Sequence, residues 1–302
     1  MVAPAKARRG RRPGLRREQT MTFVAFTLPG FLMYCCFLIF PILMGIYYSF
    51  MDWNGISPTY EFVGFENYAK LLTDRKFKSA LFFNARYTLM LIVGVVVISV
   101  ILALMLNREI RGRSFFRTLY FAPAVLSMIT ISLIFKQIFF YVLPGIGKGL
   151  NIGFLAGNVL ADRNLAIYGI LFVHLWQGVA LPTLLFLAGL QTIPQELYEA
   201  ASIDGANAWQ QFKAITVTYL LPTLSVVLVL VVKQGLMVFD YVKAMTQGGP
   251  GGATQSIALL IYNNGFERNK YSYSIAQAIA TGLIIALISV IQIKFTSGKK
   301  VE

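Results

Sequence analysis

The sequence predicts an all-α, polytopic membrane protein with about six transmembrane helices, and two observations predict it. Charged residues make up 13% of the 302-residue chain and hydrophobic ones 57%, with a mean hydropathy of +0.65; a soluble domain carries about 25% charged residues. The apolar residues also come in blocks, each close to the ~20 residues that a helix needs to cross a hydrocarbon core. Within a bilayer every backbone amide must be bonded inside its own segment, so blocks of this length are helical. No soluble catalytic domain has room among them.

Residues 1–20 carry Lys6, Arg8, Arg9, Arg11, Arg12, Arg16 and Arg17 against one acid, Glu18. That stretch is too basic and apolar-poor to fold alone and reads as a cytoplasmic tail. The run from Met21 to Phe50 is longer than the apolar core of a signal peptide and lacks a small-residue cleavage site, so it is expected to stay as the first span. An extracytoplasmic loop over 51–80 follows, with Trp53, Tyr60, Phe62, Phe65 and Tyr68 suited either to interfacial anchoring or to partner contact. The core, 81–296, holds five further blocks, Leu81–Leu106, Thr118–Phe140, Leu165–Leu190, Ile215–Phe239 and Ser274–Phe295. Residues 297–302 form a C-terminal cytoplasmic tail. Pro29, Pro41, Pro123, Pro182 and Pro222 mark kinks or ends.

The net charge of +14 raises nucleic acid as a partner. The basic residues sit between apolar blocks rather than on one face of a soluble fold, which argues for topology signals and against nucleic-acid binding. With both termini in the cytoplasm, 14 of the 27 Lys and Arg residues fall on inner segments and 9 on outer ones, with Arg86, Lys136, Lys233 and Lys294 inside spans. That balance favours this orientation in the cell membrane, chiefly through the tail and the first inner connector. Cys35 and Cys36 are adjacent within an apolar run and report nothing about redox compartment.

The stretch that carries most information lies between the fourth and fifth blocks, in the loop 191–214. Ile193-Pro194-Gln195-Glu196 reads as a helix start, with proline near the first turn and acids at the positive end of the dipole. Small Ala200 and Ala201 permit close approach, and Gly205 ends the short helix before a second begins. Glu199, Ala200, Ala201, Gly205 and Ile215 fall in the register of the EAA loop, which this segment resembles; Asp204 lies within it. The pattern's closing Leu-Pro is replaced by Val217 and Thr218, with Pro222 four residues on. The EAA loop marks the permeases of binding-protein-dependent ABC importers. Two further stretches resemble the carbohydrate branch, in the half of the pair typified by the maltose and glycerol-phosphate first permeases. These are Phe239-Asp240-Tyr241 with Thr246-Gln247-Gly248-Gly249-Pro250-Gly251, and Phe62-Val63-Gly64-Phe65-Glu66-Asn67-Tyr68. The first inner connector, with Asn107-Arg108 and Arg111-Gly112-Arg113, is similar as well.

The resemblance implies a type I ABC importer permease fold in which the loop inserts into a cleft on an ATPase. It also implies the partners: a second permease subunit, an ATPase dimer, an extracytoplasmic substrate-binding protein and a carbohydrate cargo, in lipid. The chain has no phosphate-binding loop, since Gly145-Ile146-Gly147-Lys148-Gly149 and Gly248-Gly249-Pro250-Gly251-Gly252 lack the spacing and the hydroxyl after lysine. ATP and magnesium are therefore expected on the partner ATPase, with no cofactor and no enzyme activity on this chain.

Polar residues at membrane depth are costly and need a reason to be there. His174, Gln177 and Gly178 share a helix face, with Leu181 a turn further along it. An imidazole and an amide bond sugar hydroxyls, Trp176 offers a stacking surface, and glycine leaves room, so this face is a candidate wall of the translocation path. The alternative is that His174 and Gln177 simply bond neighbouring helices. By resemblance the same positions contribute to the sugar site of the maltose-type permease, though with different side chains, and Gln234 and Gly235 fall near its other sugar-facing positions. Lys233 either faces substrate, including an acidic sugar, or neutralises an acid on the partner permease; Asp240 stands seven residues beyond it. Lys136 and Gln137 suit the outer interface. Two rival functions stay open: an ABC permease for a non-sugar solute, and a self-sufficient secondary carrier. The carrier is disfavoured because one acid, Asp240, stands near a span, at its end.

Overall fold

In the computed structural model the described residues are 13–108, 112–153 and 156–297. The basic tail up to residue 12, Arg111 of the connector between the second and third apolar blocks, and residues 298–302 lie outside them. Apart from one two-stranded ribbon, the regular structure is helical. Five helices are long and apolar enough to span a membrane, and a bent helix pair makes six.

The first span, Met21–Ser49, joins α1 (Pro13–Tyr34) to α2 (Phe40–Ser49) through a π-helical turn, Cys35–Ile39. The turn falls directly before Pro41, whose missing N–H leaves a carbonyl four residues earlier without its bond. This span stands almost wholly exposed and meets the rest near Gly45, opposite Ile275.

The loop that follows is tied to the end of that span. Strands β1 (Met51–Asp52) and β2 (Glu61–Phe62) pair antiparallel. From α3 (Glu66–Thr73), the Asn67 amide donates to the carbonyls of Ser49 and Met51 at 2.9 and 2.8 Å, and the Tyr68 hydroxyl meets Ser49 Oγ at 2.8 Å. The Phe62–Tyr68 segment is thus a clamp that satisfies carbonyls left over where α2 ends.

The core is built on α4 (Arg75–Asn107), started by the Asp74 carboxylate, which accepts from the amides of Lys76 and Phe77. Phe83, Tyr87, Leu91 and Val95 recur every fourth residue, so one face of α4 is buried. That face packs against α9 (Ala180–Leu190) and α12 (Val217–Leu236). Without a hydrophobic driving force in lipid, such contacts depend on small residues that let backbones approach. A Cβ on Gly235 would lie 2.6 Å from Thr88 Oγ1 and 2.9 Å from its Cα, and only glycine fits there.

Three expected spans differ in detail, and each difference places a polar group. Thr118–Phe140 is not one helix. α5 (Arg113–Val125) ends at Leu126, which is extended, and α6 (Met128–Gln137) restarts and runs through a π turn, Ile138–Val142, into α7 (Leu143–Gly149). Lys136 and Gln137 accordingly sit mid-helix rather than at a helix end. The fourth span bends by 47° between α8 (Ala166–Gly178) and α9. Pro182 explains this bend, because it cannot donate to the carbonyl of Gly178. The fifth begins earlier than Ile215, with α11 (Ala208–Gln211) and a π turn, Phe212–Thr216, leading into α12. It stops at Leu236, and α13 (Asp240–Met245) follows after a break of three residues. α14 (Ile257–Tyr262) and a π turn, Asn263–Glu267, precede the last helix, α15 (Tyr271–Ser297).

Candidate functional site

The breaks in the third, fourth and fifth spans converge on one cavity of about 470 Å³. His174, Gln177, Gly178 and Leu181 reach it from the fourth span, Lys233 and Gln234 from α12, and Asp240 and Tyr241 from α13. Ala124, Met128, Leu230, Met237, Val238 and Phe239 complete a largely apolar lining.

One polar chain crosses its wall. His174 Nδ1 lies 2.9 Å from the Tyr87 hydroxyl on α4. The Tyr241 ring stacks on the His174 imidazole with centroids 4.4 Å apart, and its hydroxyl donates to Gln177 Oε1 at 2.7 Å. Gln177 Nε2 donates in turn to the Leu126 carbonyl at 2.8 Å, the group freed where α5 stops. His174 and Gln177 are 5% and 6% exposed, so both are committed to neighbouring helices while bordering the cavity. Gly178 keeps the space beside the imidazole open, since a Cβ there would meet His174 Cδ2 at 3.3 Å.

Two of the sequence-predicted path residues are elsewhere. Trp176 turns away, edge-on to Phe135 at 5.3 Å, and lines a separate apolar groove with Leu102, Leu119 and Phe172. Gly235 is consumed in the crossing of α12 over Thr88. Lys233 and Asp240 border the same cavity, but the end of α12 at Leu236 puts them on different helices, and no ion pair joins them among the described residues.

Sequence reasoning missed Tyr87 and Asn84. Asn84 is fully buried; its amide donates to the carbonyls of Gly235 and Leu236 at 3.2 and 2.7 Å, and its Oδ1 accepts from the Ile257 amide at 2.9 Å. One side chain thereby caps the end of α12 and the start of α14 together. Its signal was present, an amide inside an otherwise apolar block, but its three partners lie more than 150 residues away.

At the opposite end of the bundle, α10 (Gln195–Ile203) carries Glu199, Ala200 and Ala201. Asp204 closes it and Gly205 turns the chain with φ +80°. Asn207 and Gln210 form a reciprocal capping box that starts α11. The two arms are pinned by Tyr198 Oη to Thr216 Oγ1 at 2.8 Å and by Gln211 Nε2 to Ser202 Oγ at 2.9 Å, with Ile215 half-buried in the π turn between them. No residue of α10 is buried. Ile203, at 86% exposure, leads an apolar tip that this chain leaves uncovered.

Residues 95–296 match the family model described as binding-protein-dependent transport system inner membrane component. The chain belongs to that family. It is a permease subunit of the ABC importer kind, not an enzyme. The multiple sugar-binding transport system permease protein MsmF of Streptococcus mutans is 46% identical over 277 residues, covering 92% of this chain and 95% of that protein. A probable starch degradation products transport system permease protein, AmyD of Thermoanaerobacterium thermosulfurigenes, is 34% identical over 92% of this permease and 94% of its own length. The trehalose/maltose transport system permease protein MalF of Thermococcus litoralis is 32% identical over 88% of this permease and 90% of its own length. Among solved structures, a bacterial ABC transporter involved in the import of the acidic polysaccharide alginate superposes with a TM-score of 0.80 at 21% identity, covering 93% of this permease and 96% of that chain. That likeness establishes the fold, a multi-pass importer permease.

Proposed function

We propose that this permease forms half of the translocation path for a sugar or oligosaccharide handed over by an external binding protein. The observation that carries the substrate class is the 46% identity, over nearly the full length of both chains, with a multiple sugar-binding transport permease. The chemistry of the cavity supports it. Gln234 lines the pocket with the already bonded His174 and Gln177, beside Leu181, Leu230, Met237 and Phe239, whose apolar side chains suit the C–H faces of a pyranose. Lys233 and Asp240 border the pocket together, so its charge is balanced and a neutral saccharide fits better than an acidic one. We place Trp176 and Gly235 outside the path and give them packing roles.

The second half of the path comes from a partner permease, with both termini of this chain in the cytoplasm. Energy enters through α10, whose exposed Glu199, Ala200 and Ile203 dock in a cleft of an ATPase subunit that binds ATP and magnesium. Closure of the ATPase pair then moves α10 as a rigid body, and the capping box and cross-bonds pass that motion to α12. The test is uptake of a labelled panel of neutral and uronic-acid saccharides into vesicles carrying the assembled transporter. Neutral oligosaccharides are expected to accumulate, and His174→Ala to change the order of preference among them. Uptake confined to peptides or phosphate esters would refute the sugar assignment.

A further inference from the structure

At the end of the bundle where α4 begins, a concavity of about 620 Å³ is lined by Arg75, Lys76, Arg86, Arg163 and Arg268, with no acid among its lining residues. The acids nearby are occupied. Asp74 caps α4 and accepts from the Tyr273 hydroxyl at 2.7 Å, Asp162 accepts from the amides of Asn164 and Leu165, and Glu267 pairs with Lys243 at 2.7 Å. Gly251 and Gly252 present Cβ-free backbone along one wall, with nothing within 4 Å of where a side chain would begin. Arg86 donates to the Tyr168 hydroxyl at 3.2 Å and Arg268 to Asn264 Oδ1 at 2.9 Å, but both partners are neutral, and five cations around one opening repel one another less when an anion occupies it.

The basin is open along one side to an apolar surface. Phe82 lines it at 72% exposure, and Phe82, Arg86, Leu89, Val93 and Val97 follow one another at three- and four-residue spacing along α4. They form an exposed stripe that runs from the basic rim into the apolar depth of the span. A small soluble anion would use the cations and leave the stripe bare. An amphiphile uses both.

We propose that this basin holds the phosphate headgroup of an anionic phospholipid, with an acyl chain laid along the Phe82–Val97 stripe. Arginine forks suit phosphate oxygens, and at the membrane surface each cation strengthens the attraction to acidic lipid. In the orientation proposed above the lipid belongs to the outer leaflet, and the basin gathers four of the nine Lys and Arg residues on outer segments, Arg75, Lys76, Arg163 and Arg268. The proposal does not depend on the cargo, so it stands or falls separately from the transport reading.

The test is native mass spectrometry of the detergent-purified transporter carrying wild-type chain or Arg75→Gln/Arg163→Gln, offered phosphatidylglycerol and phosphatidylcholine in equal amounts. Wild type is expected to retain phosphatidylglycerol preferentially. The double variant should lose that preference by about thirtyfold, in proportion to the two charges removed. Arg75→Lys/Arg163→Lys should keep most of it, which separates lost charge from lost fold. Equal retention of both lipids by wild type, or an unchanged preference in the glutamine variant, would overturn the proposal. Displacement of the lipid by millimolar inorganic phosphate would overturn it too, assigning the basin to a free oxyanion.

Discussion

Tyr241 stacks on His174 at 4.4 Å and holds Gln177 through its hydroxyl at 2.7 Å, so one side chain of a six-residue helix fixes two polar groups of another span. Tyr241→Phe keeps the stack and removes the bond. The expected result is a loss of about 1 kcal/mol of stability, the cost of an unmade buried bond. Sugar preference should shift as Gln177 is released toward the cavity. Thermal melting of the purified transporter and competition between two labelled sugars read the two effects separately.

Gly205 offers a cleaner dissection of the turn that closes α10. Nothing lies within 4 Å of its Cβ position, so a side chain there meets no clash and the whole penalty is the φ of +80°. Gly205→Ala should cost about 1–2 kcal/mol of turn geometry, and Gly205→Asn less, because asparagine tolerates that region. ATPase activity stimulated by loaded binding protein is expected to fall in the order glycine, asparagine, alanine. Equal activity in all three would mean that the turn does not transmit.

Asn84→Leu removes the cap shared by α12 and α14 and leaves two carbonyls and one amide unpaired in the interior. We expect this to be among the more damaging single changes in α4, at about 1–3 kcal/mol for each group left without a partner or water. Asn84→Asp should retain the bond from the Ile257 amide while setting a carboxylate against two carbonyls, and so should recover little. Yield of folded protein and its melting midpoint measure both.

Gly235→Ala tests the helix crossing. The added carbon would lie 2.9 Å from the Thr88 Cα, a backbone atom, so the helices must separate, at about 1–3 kcal/mol. Thr88→Ala removes the hydroxyl but not the Cα, and the double variant should stay destabilised. Full rescue would show that the hydroxyl alone sets the spacing.

The class of fold was legible because its cause is local: hydropathy and length decide whether a segment crosses a membrane. The turn around Gly205 was legible for the same reason, since proline, acids, alanines and glycine specify a short helix and its end from within ten residues or so. The breaks at Leu126 and at Met237–Phe239 were not. Pro123, three residues before Leu126, marked an end nearby without fixing it, and no proline sits at Met237–Phe239; each break is held by a distant side chain, Gln177 for one and Asn84 for the other. The candidate path was readable on α8 from the helical spacing of His174, Gln177 and Gly178. Trp176 does not share that face, and helical spacing alone separates it. Gly235, set by resemblance near sugar-facing positions, packs directly against Thr88 on another span, a contact that no spacing within its own helix announces.

The measurement that bears most directly on the central claim compares accumulation of a labelled neutral oligosaccharide in vesicles carrying this chain alone with accumulation in vesicles carrying the whole assembly. The account predicts uptake only in the assembly, and only with ATP inside and binding protein outside, abolished when Glu199, Ala200 and Gly205 are disrupted together. Accumulation by this chain alone, without ATP, would contradict it and make the protein a secondary carrier.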